Sequence, residues 1–185
     1  MLEARRSFGV FTMRTAAAIL VATALMASPA FAADTESAGQ MVVLKADQIG
    51  EIFCMSRIGN DEAVISGILT DGLKQAIATV DKLDDAYAKA HPDEKPPLGD
   101  GIPWQSSADY APKCDTGLAT LSKMDAKVEI KYSFPDDAAA DFTDTLILKK
   151  LPIDGTNVGY WRIDNVVYSD GTDLKTALSN AFKSN

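Results

Sequence analysis

Five of the eight prolines in this 185-residue chain, Pro92, Pro96, Pro97, Pro103 and Pro112, fall within one stretch of about twenty residues. Proline locks φ and has no N–H to give, so regular structure is not expected across residues 92–113, apart from a short extended piece around Ile102 to Gln105. The stretch divides the chain into a front half with helical spacing of apolar residues and a back half with strand alternation. Helices followed by a strand meander predict an α+β fold: N-terminal helices laid across one face of an antiparallel sheet, and a closing C-terminal helix. Irregular segments of this length inside a small domain are often functional, which makes the proline-rich stretch the first place to look for a site.

In the front half, a first helix is expected from Lys45, with Ile49, Ile52, Phe53 and Ser56 on one side and Gly50, Cys54 and Arg57 adjacent, closing at Gly59-Asn60. Asp61 then caps a short helical turn through Val64 and Ile65 that ends near Gly67. Thr70 or Asp71 caps a longer helix whose apolar stripe is Leu73, Ile77, Val80, Leu83 and Tyr87. Asp81, Lys82, Asp84, Asp85 and Lys89 fall mostly around its other side and read as a solvated face, and Pro92 stops it. In the back half, Val128, Ile130, Tyr132 and Phe134 alternate with polar residues, the period of a strand with one buried face. Pro135-Asp136-Asp137 turns the chain into a second strand from Phe142 to Leu151, and Pro152 to Gly155 turns it into a third from Val158 to Tyr168. On that third strand Trp161, Ile163 and Val167 form the expected core face, opposite Tyr160, Arg162 and Asp164. Thr172 is expected to cap a final helix carrying Leu174, Leu178, Ala181 and Phe182.

The N-terminus has the pattern of an export signal. Arg5, Arg6 and Arg14 precede an apolar or small run from Ala16 to Met26, and Ala30-Phe31-Ala32 offers the small residues that signal peptidase accepts. The expected organisation is therefore a signal peptide at 1–32, a flexible N-terminus at 33–44 and a single α+β domain at 45–185. Met13 would serve as a start codon as well as Met1. The apolar run is shorter than the ~20 residues of an ordinary span, so no stable membrane insertion is expected after cleavage near Ala32, and the location is periplasmic or secreted. The full chain has formal net charge −8; without the three arginines and one glutamate of the signal, 15 basic and 25 acidic residues remain, giving −10. Such a balance argues against nucleic acid as a partner, because binding the phosphate backbone depends on basic patches.

Cys54 and Cys114 both lie in the expected mature domain. In an oxidising compartment a single disulfide between them is the favoured reading; two free thiols packed as small hydrophobes is the alternative. If paired, they would pin the far end of the proline-rich stretch to the first helix.

Residues suited to catalysis are sparse. His91 is the only histidine and sits at a helix end before Pro92, the serines lie in no nucleophile-elbow pattern, and no glycine loop would cradle a phosphate. Asp136, Asp137, Asp141 and Asp144 surround a turn without the spacing of a calcium loop and read as solvated. No catalytic residue, cofactor or metal site is expected on these grounds. A small-ligand site needs apolar walls with a few fixed polar groups, and the candidate set for one is Arg57, Trp104, Tyr110, Tyr132, Tyr160, Arg162 and Asp164, with Gln105 beside it. Arg162 and Asp164, two apart on one strand face, are also expected to form an exposed ion pair. Trp104 is expected to seal the core rather than line a cavity mouth.

The run Tyr160 to Val166, followed by Gly171 and the Leu174/Leu178 helix, resembles the end of secreted bacterial domains in the nuclear transport factor 2-like superfamily, which is cystatin-like and ketosteroid-isomerase-like. The front half is similar too, through Asp61-Glu62 and Ile68-Leu69-Thr70 between two helices, as is the link Leu98 to Gln105. The resemblance spans roughly Lys45 to Phe182 and implies a strongly curved, cone-like sheet around a cavity. Members include ketosteroid isomerase and scytalone dehydratase, which work with an acidic residue, histidine or tyrosine inside the cone, and binding modules without chemistry; fold alone does not choose between them. The family-like Trp-Arg-Ile-Asp run makes Asp164 the acid best placed for catalysis, should there be any. The sequence as a whole favours an exported, non-catalytic binding or interaction protein. The alternatives are a small-ligand binder or enzyme using the cone, and an inhibitor or immunity-type protein for a basic periplasmic partner.

Overall fold

A computed structural model describes residues 43–183, so the expected signal peptide and all but the last two residues of the expected flexible N-terminus lie outside the described residues. Helix α1 runs Ala46–Ile58; Gln48 closes its first turn by accepting from the Lys45 N–H at 2.9 Å. It buries Ile49, Gly50, Phe53, Cys54, Ser56 and Arg57, the two adjacent stripes that the sequence separates. Helix α2 (Glu62–Gly67) is capped by Asp61, whose carboxylate accepts from Val64 N at 3.0 Å. Helix α3 (Asp71–Ala90) is capped by Thr70, which accepts from Leu73 N at 3.3 Å. The α3 stripe is only partly used. Leu73 and Val80 are buried, but Leu83 is 45% exposed, because α3 packs on β4 and α4 through its first half and has no buried residue after Val80.

Four antiparallel strands follow in simple order: β1 (Lys113–Leu121), β2 (Asp125–Ser133), β3 (Phe142–Pro152) and β4 (Gly159–Val167). Strand β1 begins where the proline-rich stretch ends, over residues to which the sequence assigned no element, and lengthens the expected meander by one. It is a sheet edge with Cys114 as its sole buried residue, and Gly117 and Leu118 bulge opposite Glu129, so no period-2 pattern survives in its sequence. A second bulge corrects the expected faces of β4. Ile163 pairs with Leu148 and Asn165 with Ile147, leaving Asp164 as the extra residue; alternation slips by one, and Val166 rather than Val167 enters the core.

The outer edge of β4 is partly covered. Residues between α2 and α3 run parallel to it, with Ile163 N donating to Ile68 O and Thr70 N to Ile163 O, both at 2.8 Å. Beyond the strand, Tyr168 N donates to Thr172 O at 2.9 Å. The Thr172 hydroxyl donates to Asp170 Oδ1 at 2.7 Å, and Asp173 rather than Thr172 caps α4 (Leu174–Asn180), accepting from Thr176 N at 3.0 Å.

One sheet face carries Val128, Ile130, Tyr132, Leu146, Leu148, Trp161, Ile163 and Val166, all buried. Ile49, Phe53 and Leu73, each no more than 1% exposed, belong to the same core cluster, and Leu44 packs against it. Helix α1 approaches the sheet closely at Gly50, where an added Cβ would lie 2.9 Å from Thr116 Cγ2 and Val128 Cγ1. One turn on, Cys54 and Cys114 form the disulfide, with Cα atoms 5.2 Å apart across 60 residues of sequence.

A loop of that length gives the cross-link a chain-entropy value of about 4 kcal/mol. The variant with Cys54→Ser and Cys114→Ser together should therefore unfold at a markedly lower temperature than the native protein, and thiol titration of the denatured, non-reduced native protein should find no free thiol. A melting temperature within 2 °C or so of native would show that α1 docks without help from the bond.

Candidate binding trench beside the proline-rich segment

Between Ile102 and Pro112 the chain belongs to no helix or strand, so its polar backbone groups need partners from elsewhere. Side chains of α1, β2 and β3, Tyr168 just after β4, and Gln105 of the segment itself supply several of them. Arg57, in the last turn of α1, is 2% exposed and donates to Ala111 O at 3.1 Å and to Gln105 Oε1. Buried Gln105 donates in turn to Ser107 O and Asp109 O at 2.8 and 2.6 Å. Tyr132 of β2 donates to Trp104 O at 3.3 Å, Tyr168 to Pro103 O, and Tyr110 to Arg57 O. Asp144 of β3, 1% exposed, accepts from Ser106 N at 2.8 Å and Ser169 N at 2.9 Å.

No carboxylate forms an ion pair with Arg57 among the described residues. Its guanidinium lies instead between two aromatic faces, 3.9 Å from the Tyr110 ring centre and 4.7 Å from that of Tyr132. Its place at the carboxyl end of α1 adds the favourable end of the helix dipole. Burial raises the Tyr132 and Tyr168 hydroxyls far above the usual tyrosine range, so both stay protonated as donors. Burial also raises the Asp144 carboxyl, against the pull of its hydrogen bonds from Ser106 and Ser169.

This latched segment forms one wall of a trench; α2 and α3 form the other. Two hollows of about 540 and 230 Å³ meet there, sharing Glu62, Gly101, Ile102 and Trp104. The larger has an apolar floor of Leu69 and Ile77, and a rim of Glu62, Asp81, Asp84 and Asp85 opposed by one cation, Lys74. Lys74 leans away to Asp71 at 3.6 Å, and Asp84 accepts from Leu98 N at 2.8 Å, tying the proline-rich wall to α3. Among the described residues Glu62, Asp81 and Asp85 form no ion pair. Partial burial raises the Asp81 carboxyl, and repulsion from Glu62, Asp84 and Asp85 raises it further. Trp104, expected to seal the core rather than line a cavity mouth, does both: its ring meets Phe53 edge-on at 6.0 Å and also lines both hollows.

The structure thus gathers Arg57, Trp104, Tyr110 and Tyr132, with Gln105, at one place. Tyr160, Arg162 and Asp164 lie apart from them on β4. Arg162 stacks on Tyr160 at 4.5 Å and donates to Trp161 O at 3.1 Å, and the two line a separate hollow of about 360 Å³ with Leu44 and Ile49. The expected pair between Arg162 and Asp164 is absent. As the bulged residue, Asp164 accepts from Thr70 Oγ1 at 2.9 Å and Lys175 Nζ at 2.8 Å, joining α3 to α4. Burial pushes its carboxyl up, but Lys175, Thr70 and Lys149 outweigh that and hold it below the ordinary value.

Asp144 and the acidic rim escaped the sequence reading, which took Asp144 for part of a solvated turn and Asp81, Asp84 and Asp85 for a solvated helix face. The signal for Asp144 is its phase: it precedes Leu146 and Leu148 at period two on the inward side of β3. No comparable signal existed for Glu62, Asp81 and Asp85, whose common surface depends on how α2 and the proline-rich segment meet α3. His91 stacks on Tyr87 at 4.4 Å and lies 3.9 Å from Glu94, away from the trench. Among the described residues no cluster of three or more His, Cys, Asp or Glu is placed to hold a metal ion. No family model matches the chain, and no curated protein or solved structure shows significant similarity to it.

Replacing Arg57 with Met keeps its length but strands the Ala111 carbonyl and Gln105, so Arg57→Met should cost about 2 to 4 kcal/mol in urea unfolding and open residues 103–111 to limited proteolysis. An unchanged digestion pattern would mean that the segment is held without Arg57. Asp164 allows a test by pH. Its lowered folded value contributes stability above the ordinary 3.8 that fades as pH falls through the folded value. Asp164→Asn should therefore be less stable than the native protein at neutral pH, with the difference closing only below about pH 4.

Proposed function

We propose that this chain is an exported, non-catalytic binding protein whose working surface is the trench between the proline-rich segment, α2 and α3. The observation that carries the reading is the construction of the proline-rich wall. Arg57, Tyr132, Asp144 and Tyr168 are committed from the helix and sheet to hold a segment that has no ladder of its own, and that segment supplies Ile102 and Trp104 to the trench. Wall, floor and rim match the general makeup of a binding cleft, apolar surface with a few fixed polar groups. Asp144 is the buried carboxyl with a raised pKa nearest to the segment, but both its oxygens already accept backbone N–H bonds, which leaves it poorly placed as a general base.

Export is supported by the signal-like N-terminus, by the disulfide, which suits an oxidising compartment, and by the lack, among the described residues, of any helix long and apolar enough to cross a membrane. Membership of the nuclear transport factor 2-like superfamily remains part of this proposal, supported by helices that precede an antiparallel meander and a closing helix. The acidic rim favours the inhibitor or immunity-type alternative, a protein that covers a basic partner, over a catalytic one.

Protein recovered from a periplasmic fraction should begin at Ala33-Asp34 and carry co-purifying partners identifiable by mass spectrometry. Ala78 is exposed and lines the trench, so Ala78→Trp should block it without disturbing the core and remove those partners, whereas Arg162→Ala should retain them. Partners lost equally from both variants, or from neither, would place the binding surface elsewhere.

A further inference from the structure

We infer that the occupant of the trench is an extended, basic peptide segment of a partner protein, with lysine or arginine at alternate positions and apolar residues between them. The inference rests on the reading of the trench as the binding surface. Its first support is the match of spacings. Asp81 and Asp85 are one turn apart on α3, about 6 Å along the helix axis. Side chains at i and i+2 on one side of an extended chain are about 6.6 Å apart. Two alternate cations of one peptide can therefore face both carboxylates at once, while Glu62 on α2 stands where the two hollows meet.

The second support is the opposite wall. The residue between two such cations points the other way, toward Leu98, Ile102 and Trp104 of the proline-rich segment, an apolar strip with an aromatic ring. Charge complementarity is uneven in the required sense, since the rim holds four carboxylates and one lysine that is already turned toward Asp71. Repulsion of Asp81 by Glu62, Asp84 and Asp85 is a standing cost that a polycationic partner relieves on binding. A free polyamine would satisfy the carboxylates but leave the apolar wall unused.

Isothermal titration can separate these possibilities with three probes: a synthetic peptide alternating Lys and Leu, the same peptide with Glu in place of Lys, and spermine. The Lys peptide should bind the native protein, more weakly as salt is raised, and the Glu peptide should not. Neutralising the rim with Asp81→Asn and Asp85→Asn together should weaken the Lys peptide roughly tenfold, as expected for two exposed charge pairs. Thermal unfolding of that double variant should stay at or above native, which excludes misfolding as the cause. Equal binding of the Glu peptide, an unaltered affinity in the double variant, or spermine binding as tightly as the peptide would each overturn the inference. Should Ala78→Trp remove periplasmic partners while the Lys peptide fails to bind, the trench would stand as the binding surface and only the basic peptide would fall.

Discussion

The docking of α1 on the sheet, fixed by the Cys54–Cys114 bond, is the constraint from which the rest of the structure follows. Gly50 lets the helix lie close to Thr116 and Val128, the disulfide joins it to β1 one turn later, and Arg57 emerges less than one further turn on, beneath the proline-rich segment. Edge strand β1 has little burial of its own, so the covalent link also explains how a strand with a bulge and exposed Leu118 and Leu121 keeps its place. Helix, edge strand and irregular segment form one mechanical unit around that cross-link.

Within that unit the costs and gains of burial are uneven. Arg57 and Asp144, a guanidinium and a carboxyl that form no ion pair among the described residues, are both taken out of water. Each would be unfavourable alone. They are tolerated because each satisfies backbone groups that the prolines leave without a ladder, and because aromatic faces flank the cation. An apolar latch would bury the same surface but leave those carbonyls and N–H groups unmet. The polar latch fixes the position of Trp104, which in turn shapes the trench.

The structure uses carboxylates in two opposite ways. Asp164 is fully engaged with Thr70 and Lys175 and acts as a brace between helices. Around the trench, Glu62, Asp81 and Asp85 form no ion pair among the described residues, and Glu62 and Asp85 repel Asp81. Structural acids are usually paired; unpaired ones gathered at a concave apolar surface store free energy that a partner can release.

The amino-acid sequence alone determined the class of fold and most of its elements. Periods of 3.6 and 2, the Asp61 and Thr70 caps and the punctuation by proline are local signals, and local backbone preferences answer to them directly. The cysteine pairing was legible as the favoured alternative, since an oxidising compartment and two thiols leave few options. Tertiary structure decided the rest. Edge strand β1 carries no alternation because only one of its residues is buried, and the bulge at Asp164, which moves Val166 inward and turns the carboxylate toward Lys175, arises from register between strands rather than from β4 itself. Four of the seven candidate site residues came together and three did not, because strand neighbours share a face by sequence, whereas Arg57, Trp104 and Tyr132 share a site only through packing of a helix, a loop and a sheet. The acidic trench was illegible for the same reason: charges on two helices become one surface only when a third segment closes the groove between them.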